Sequence, residues 1–166
     1  IHIPFCIQKC HYCDFNSVAF QQQLSDRFIK AIKKEIELLA EAYHPTITSI
    51  FIGGGTPTVL TSQKLTSILE KCYQEFNCLE DIEITIEANP GTINKDKLIA
   101  LKEAGINRLS FGVQSFNDDF LDKLGRIHTS QEAIENYYLA RKVGFNNISL
   151  DLMFALPEQK LKDWED

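Results

Sequence analysis

Ile1-His2-Ile3-Pro4-Phe5 alternates apolar and polar residues up to its proline, then passes directly into Cys6-Ile7-Gln8-Lys9-Cys10-His11-Tyr12-Cys13. A short strand feeding a chemically distinctive loop is the unit from which the rest of the chain can be read. Four more β-rich runs follow: Ile47 to Ile52, Ile82 to Ala88, Leu109 to Val113 and Ile148 to Phe154. Each is rich in β-branched or aromatic residues, and several end in Gly, Asn or Pro. Between them the pattern takes a helical period. Leu24, Phe28, Ile32, Ile36 and Leu39 form an apolar stripe on a helix predicted to end near Ala42. Ser62 is placed to cap a second helix, with Leu65, Ile68, Leu69, Cys72 and Phe76 as its stripe. A third follows Asn94 and stops at Gly105, while Thr129 and Glu132 form a capping box for a fourth that ends at Gly144. Each crossover helix returns the chain to the same end of a sheet, so the fold class is α/β with parallel strands alternating with helices. A barrel and an open doubly wound sheet both satisfy this pattern, and either puts the chemistry at the C-terminal ends of the strands.

The 166 residues suffice for one compact domain. Ile1 already lies in a strand and Leu161 to Asp166 stop within a helix start, so the expectation is a fragment of a longer chain. A net charge of −6, from 17 basic and 23 acidic residues, argues against nucleic acid or an anionic membrane as partner, since phosphates call for a basic face. No apolar run approaches the roughly 18 residues of a transmembrane segment. No basic-then-apolar leader is visible, and a cytoplasmic location is expected.

Three of the five cysteines fall within eight residues, as C-x3-C-x2-C. In a reducing compartment such a cluster of thiols reads as a metal site rather than a disulfide framework. Three thiolates can ligate three irons of a cubane iron–sulfur cluster, whereas ferredoxins use four thiolates at other spacings. The fourth iron would then be open to a ligand. The alternative is a structural zinc on Cys6, Cys10 and Cys13 with His2 or His11, although the usual second C-x2-C pair is hard to find. Cys72, on a helix stripe, and Cys78 beyond it read as core thiols.

The remaining polar residues of interest stand at strand ends. Gly53-Gly54-Gly55-Thr56-Pro57 can let a ligand approach the backbone. Glu87 and Gln114 end their strands, and Arg126 follows a short helix-like turn. Asp151 lies among apolar residues; an unpaired buried carboxylate is costly, which makes it the polar residue hardest to explain as structure.

The cysteine loop with its preceding His-Ile-Pro-Phe resembles the radical S-adenosylmethionine superfamily, and Ile1 to Ser17 is similar to its oxygen-independent coproporphyrinogen-oxidase-like family. The resemblance continues through Gly53 to Pro57, Glu87-Ala88-Asn89-Pro90, Arg108 to Phe116, Leu124-Gly125-Arg126-Ile127-His128 and Asp151 to Pro157. It implies a partial (β/α) barrel lacking its last strand or strands, with residues 1–166 as a core domain cut at both ends and without its C-terminal domain. It further implies a 4Fe-4S cluster on Cys6, Cys10 and Cys13, with S-adenosylmethionine at the open iron. By the same resemblance Tyr12 stands beside the adenine and Gly54, Gly55 and Thr56 hold the amino group. Glu87, Gln114, Arg126 and Asp151 are then further contacts, Arg126 fitting the methionyl carboxylate.

Coproporphyrinogen dehydrogenases of this family carry an extra cysteine two residues after the third; here that place is Phe15. The Cys13-Asp14-Phe15 form is similar to the haem-chaperone branch, which implies haem as a further ligand, a one-electron donor and haem-acceptor proteins as partners. The other implied activity is oxidative decarboxylation of coproporphyrinogen III. The chain does not contain the His-Asn-x-x-Tyr-Trp motif proposed to bind haem in that branch.

Overall fold

Pro4 divides the first expected strand in two in the computed structural model, which describes residues 1–165. Proline has no N–H to give to a ladder, so pairing changes across it. β1 (His2–Ile3) pairs with β4 (Thr46–Gly54), and β2 (Phe5–Cys6) pairs with β3 (Val18–Ala19). β5 (Asn77–Ala88), β6 (Arg108–Gln114) and β7 (Asn147–Leu152) extend the main sheet, whose order is β1-β4-β5-β6-β7 with every pair parallel. Chain order and sheet order run together without the reversal of a doubly wound fold, which selects the barrel-like alternative. β5 begins five residues earlier than the expected Ile82, and β7 stops at Leu152 instead of Phe154.

The helices are α1 (Gln22–Tyr43), α2 (Ser62–Glu75), α3 (Lys95–Glu103), α4 (Asp118–Leu124), α5 (Ser130–Val143) and α6 (Leu161–Glu165). Asn94 caps α3 through Lys97 N–H, the Thr129–Glu132 capping box forms in full at α5, and Gly105 and Gly144 follow their helices at positive φ. At α2 the cap is Thr61, not Ser62, whose position is the first helical one. In α1 the most buried residues are Ser25, Ile29, Ile36 and Ala40, while Leu24 and Leu39 are exposed. The stripe turns because Ser25 accepts a hydrogen bond from Lys64 Nζ of α2 at 2.6 Å. The turn before Arg126 is a true helix, α4, capped by Asn117 and closed by Gly125 in the left-handed region. Asp166, the end of the helix start expected at Leu161, lies outside the described residues.

α1 packs on α2, α2 on α3 and α3 on α5, a helical layer on one side of the sheet. Ile84, Ile86, Leu109 and Phe111 join Leu65, Ile68, Leu98 and Leu101 in one core. Successive strand residues point to opposite faces, so Thr85, Glu87, Ser110 and Asp151 belong to the other face. Register sets Glu87 beside Ser110 and Gly112 beside Asp151, which gathers the polar residues toward the C-terminal ends.

Candidate functional site

The cysteine loop leaves β2 and is tied to the far end of α4. His11 N–H donates to Leu124 O (3.0 Å), Gln8 Nε2 to Gly125 O (3.1 Å), and His11 Nδ1 lies 2.9 Å from Lys123 O. The last carbonyls of a helix have no partner within it, and here the loop supplies one. Cys13 N–H closes a turn on Cys10 O (3.1 Å). Cys6 is buried, with Cys10 and Cys13 partly exposed. This anchoring carries Arg126, the residue after Gly125, over the loop: Nη1 stands 3.3 Å from Cys10 Sγ and 3.4 Å from Tyr12 Oη. Burial pushes the Tyr12 phenol up to about 12, against the opposing pull of Arg126.

The turn after β4 forms the next wall. Thr56 N–H donates to Phe5 O at 2.7 Å, and its hydroxyl lies 3.7 Å from Cys6 Sγ. A Cβ on Gly55 would sit 2.7 Å from Phe5 O and 3.0 Å from Cys6 Sγ, so this approach of two backbones admits only glycine. Gly54, at φ +115°, gives its N–H to Glu87 Oε2 at 2.9 Å. Burial raises the Glu87 carboxyl above the usual range, offset in part by that N–H and reinforced by the charge of Asp151.

β6 and β7 complete the enclosure. Gln114 ends β6 at φ +74°, uncommon for a residue with a side chain, next to a register shift between Gly112 and Gln114. Arg126 Nη2 donates to Gly112 O. Asp151 departs from the expectation of a buried, unpaired carboxylate: it is exposed and accepts from Ser110 Oγ at 3.2 and 3.3 Å. β7 is the edge of the sheet, and its apolar neighbours Leu150 and Leu152 are exposed as well.

All the residues singled out in the sequence, the three cysteines with Tyr12, Gly54, Gly55, Thr56, Glu87, Gln114, Arg126 and Asp151, line one cavity of about 430 Å³. Among the described residues no three His, Cys, Asp or Glu side chains are arranged for a single metal ion. Of the histidines of the zinc alternative, His11 Nδ1 lies 2.9 Å from Lys123 O at α4 and His2 Nε2 lies 2.8 Å from Asn16 O. Three thiols of one loop facing one cavity are a donor set of the kind that ligates iron–sulfur groups. Arg126 Nε is buried without a partner, one donor still free for a ligand. Cys72 is buried in the core, with burial pushing its thiol up to about 11, and Cys78 packs against the same core, both as expected.

Several contributors escaped the sequence reading. Ser110 holds Asp151, and Gly112 O receives Arg126. His128 is buried, with Nε2 3.2 Å from Val113 O and Nδ1 3.1 Å from the Asn89 side-chain amide. The period-two alternation of β6, which puts Ser110 and Gly112 on one face, was the available signal.

Comparison with known proteins bears on the fold and the family. The family model described as the Radical SAM superfamily matches residues 1–166. The chain is 47% identical to "Heme chaperone HemW" of Bacillus subtilis (strain 168), covering 99% of this chain and 44% of the relative. It is 42% identical to the protein of the same name from Escherichia coli (strain K12), covering 98% of this chain and 44% of the relative. A solved structure titled "Coproporphyrinogen III oxidase (HemN) from Escherichia coli is a Radical SAM enzyme" superposes with a TM-score of 0.92 at 32% identity, over 99% of this chain and 38% of that one. The chain thus spans less than half the length of these relatives. No helix among the described residues is long and apolar enough to cross a membrane. With its parallel sheet, its cysteine loop and a family match running from first residue to last, this chain belongs to the radical SAM superfamily.

Proposed function

We propose that residues 1–166 form the core domain of a haem chaperone, holding a 4Fe-4S cluster on Cys6, Cys10 and Cys13 and S-adenosylmethionine in the adjoining cavity. The observation that carries this reading is the convergence of three thiols from one loop with two carboxylates, an amide and a guanidinium in a single cavity. Glu87 and Asp151 supply negative charge for a ligand that bears an ammonium and a sulfonium. Gly54 and Gly55 bring backbone polar groups close, with Thr56 holding their turn against Phe5. Arg126 has its Nε donor free for a carboxylate. Bound together, cluster and S-adenosylmethionine supply one-electron chemistry, while the protein orients them and excludes water. The one-electron donor and the haem-acceptor proteins belong to the same reading.

The chaperone is favoured over a coproporphyrinogen III dehydrogenase by Phe15, which lines the cavity where that enzyme's extra cysteine is expected. The relatives named as haem chaperones are also more similar in sequence than the HemN structure. The high TM-score to HemN supports the dehydrogenase as the second reading. Two measurements decide. Haem titration of the full-length protein is expected to give a tight stoichiometric complex, and anaerobic incubation with coproporphyrinogen III is expected to leave that substrate unchanged. A decarboxylated product would reverse the choice.

A further inference from the structure

Arg126 touches both the cysteine loop and the strand ends, and its donors divide between them. One Nη1 contacts Cys10 Sγ at 3.3 Å and Tyr12 Oη at 3.4 Å; Nη2 holds Gly112 O; Nε is buried and unpartnered. A guanidinium has five N–H donors in a fixed fork. Nε has no partner within the protein, while Nη1 faces the sulfur. A guanidinium that served only a carboxylate would have no need of the thiol contact.

We infer that Arg126 has a second role besides ligand binding: its Nη1 stabilises charge on the Cys10 thiolate and so raises the reduction potential of the cluster. This rests on the proposed reading of the cysteines as cluster ligands. Reduction adds one electron from an external one-electron donor, and no bond to Arg126 forms or breaks. The added negative charge spreads onto the ligating sulfurs, where a cationic N–H donor favours the reduced form; hydrogen bonds to sulfur and net charge are known levers on such potentials. The contact is partly buried, where screening by water is weakest. One side chain thereby links the ligand edge of the cavity to the redox edge.

The test is the midpoint potential of the anaerobically reconstituted protein without S-adenosylmethionine, followed by the cluster's spin signal in a redox titration. Arg126→Met and Arg126→Gln both remove the charge. Each is expected to lower the equilibrium constant for reduction at least tenfold, which is about 59 mV more negative for one electron. A guanidinium that merely holds a carboxylate would leave this ligand-free potential alone. Unchanged potentials at full iron content overturn the inference and leave the cluster reading intact. A wild-type protein that assembles no cluster overturns both. Should neither variant assemble it, Arg126→Lys takes their place: its compact, strongly hydrated ammonium cannot fork to Gly112 O and Cys10 together. A smaller negative shift is then expected, and an unchanged potential overturns the inference.

Discussion

Glu87 Oε2 accepts the N–H of Gly54 at 2.9 Å, joining the end of β5 to the end of β4 inside the cavity that both line. The approach is close enough that a Cβ on Gly53 would lie 2.6 Å from the same oxygen. Glu87→Gln keeps an acceptor for Gly54 but removes the charge. It is expected to weaken S-adenosylmethionine binding about tenfold, since hydrogen bonds to charged groups contribute about 1.5–3 kcal/mol. Titration of the cluster signal with S-adenosylmethionine measures this; a wild-type curve would remove Glu87 from the ligand site.

Cys6, Cys10 and Cys13 are expected to be individually indispensable. Alanine at any one of them should abolish assembly of the four-iron cluster, as read by iron and sulfide content after anaerobic reconstitution. Cys72→Ala should retain full iron content and lose about 1 kcal/mol of stability, the cost of a small cavity in the core where Cys72 is buried. Normal iron content in any of the three loop variants would contradict the assigned ligand set.

At Gly55 the space for a side chain is missing, with Phe5 O 2.7 Å from where a Cβ would sit. Gly55→Ala must push the turn away from the cysteine loop. The expected result is a loss of about 1–3 kcal/mol in thermal or denaturant unfolding, typical of overpacking, together with reduced iron retention. An unchanged iron content in a variant of wild-type stability would show that the two loops are not tightly apposed.

Thr129→Ala separates scaffold from site. It removes the side-chain half of the capping box at α5 and should cost about 0.5–2 kcal/mol. Iron content and the response to S-adenosylmethionine should stay at wild-type levels. A melt identical to wild type would show that this cap contributes nothing to the fold.

His128 gives the fold a defined pH dependence. Burial, with the charge of Arg126 second, lowers its imidazolium pKa to about 4 from 6.5. The unfolded chain therefore binds more protons across that interval, and stability rises with pH there. The contribution is complete above pH 6.5 and is lost as the pH falls toward 4. His128→Gln, which does not titrate, should show a flatter fall in melting temperature over this window; parallel curves for the two proteins would exclude His128 as the source.

Much of the architecture follows from short-range rules. The Thr129–Glu132 box, the Asn94 cap and the turns at Gly105 and Gly144 depend on residues within one helical turn of each other, so the local sequence specifies them. The cysteine spacing is likewise a local property. Where neighbouring residues offer equal chemistry, local pattern does not choose between them: Thr61 and Ser62 both carry a hydroxyl, and the helix begins one residue earlier than a Ser62 cap requires.

Asp151 shows the limit from the other side. Leu150 and Leu152 flank it and suggest burial, yet β7 is the edge strand, both leucines are exposed, and Asp151 is held by Ser110. The contact of Arg126 with Cys10 spans 116 positions in the chain. It exists because His11 and Gln8 bind the exposed carbonyls at the end of α4. From its sequence alone this protein has the order of its strands and helices and most of its helix caps, because those depend on periodicity and near neighbours. Which face of the sheet stays open, and which distant side chain meets the cysteines, was settled only by packing, since such contacts pay a loop-closure entropy that no local pattern encodes.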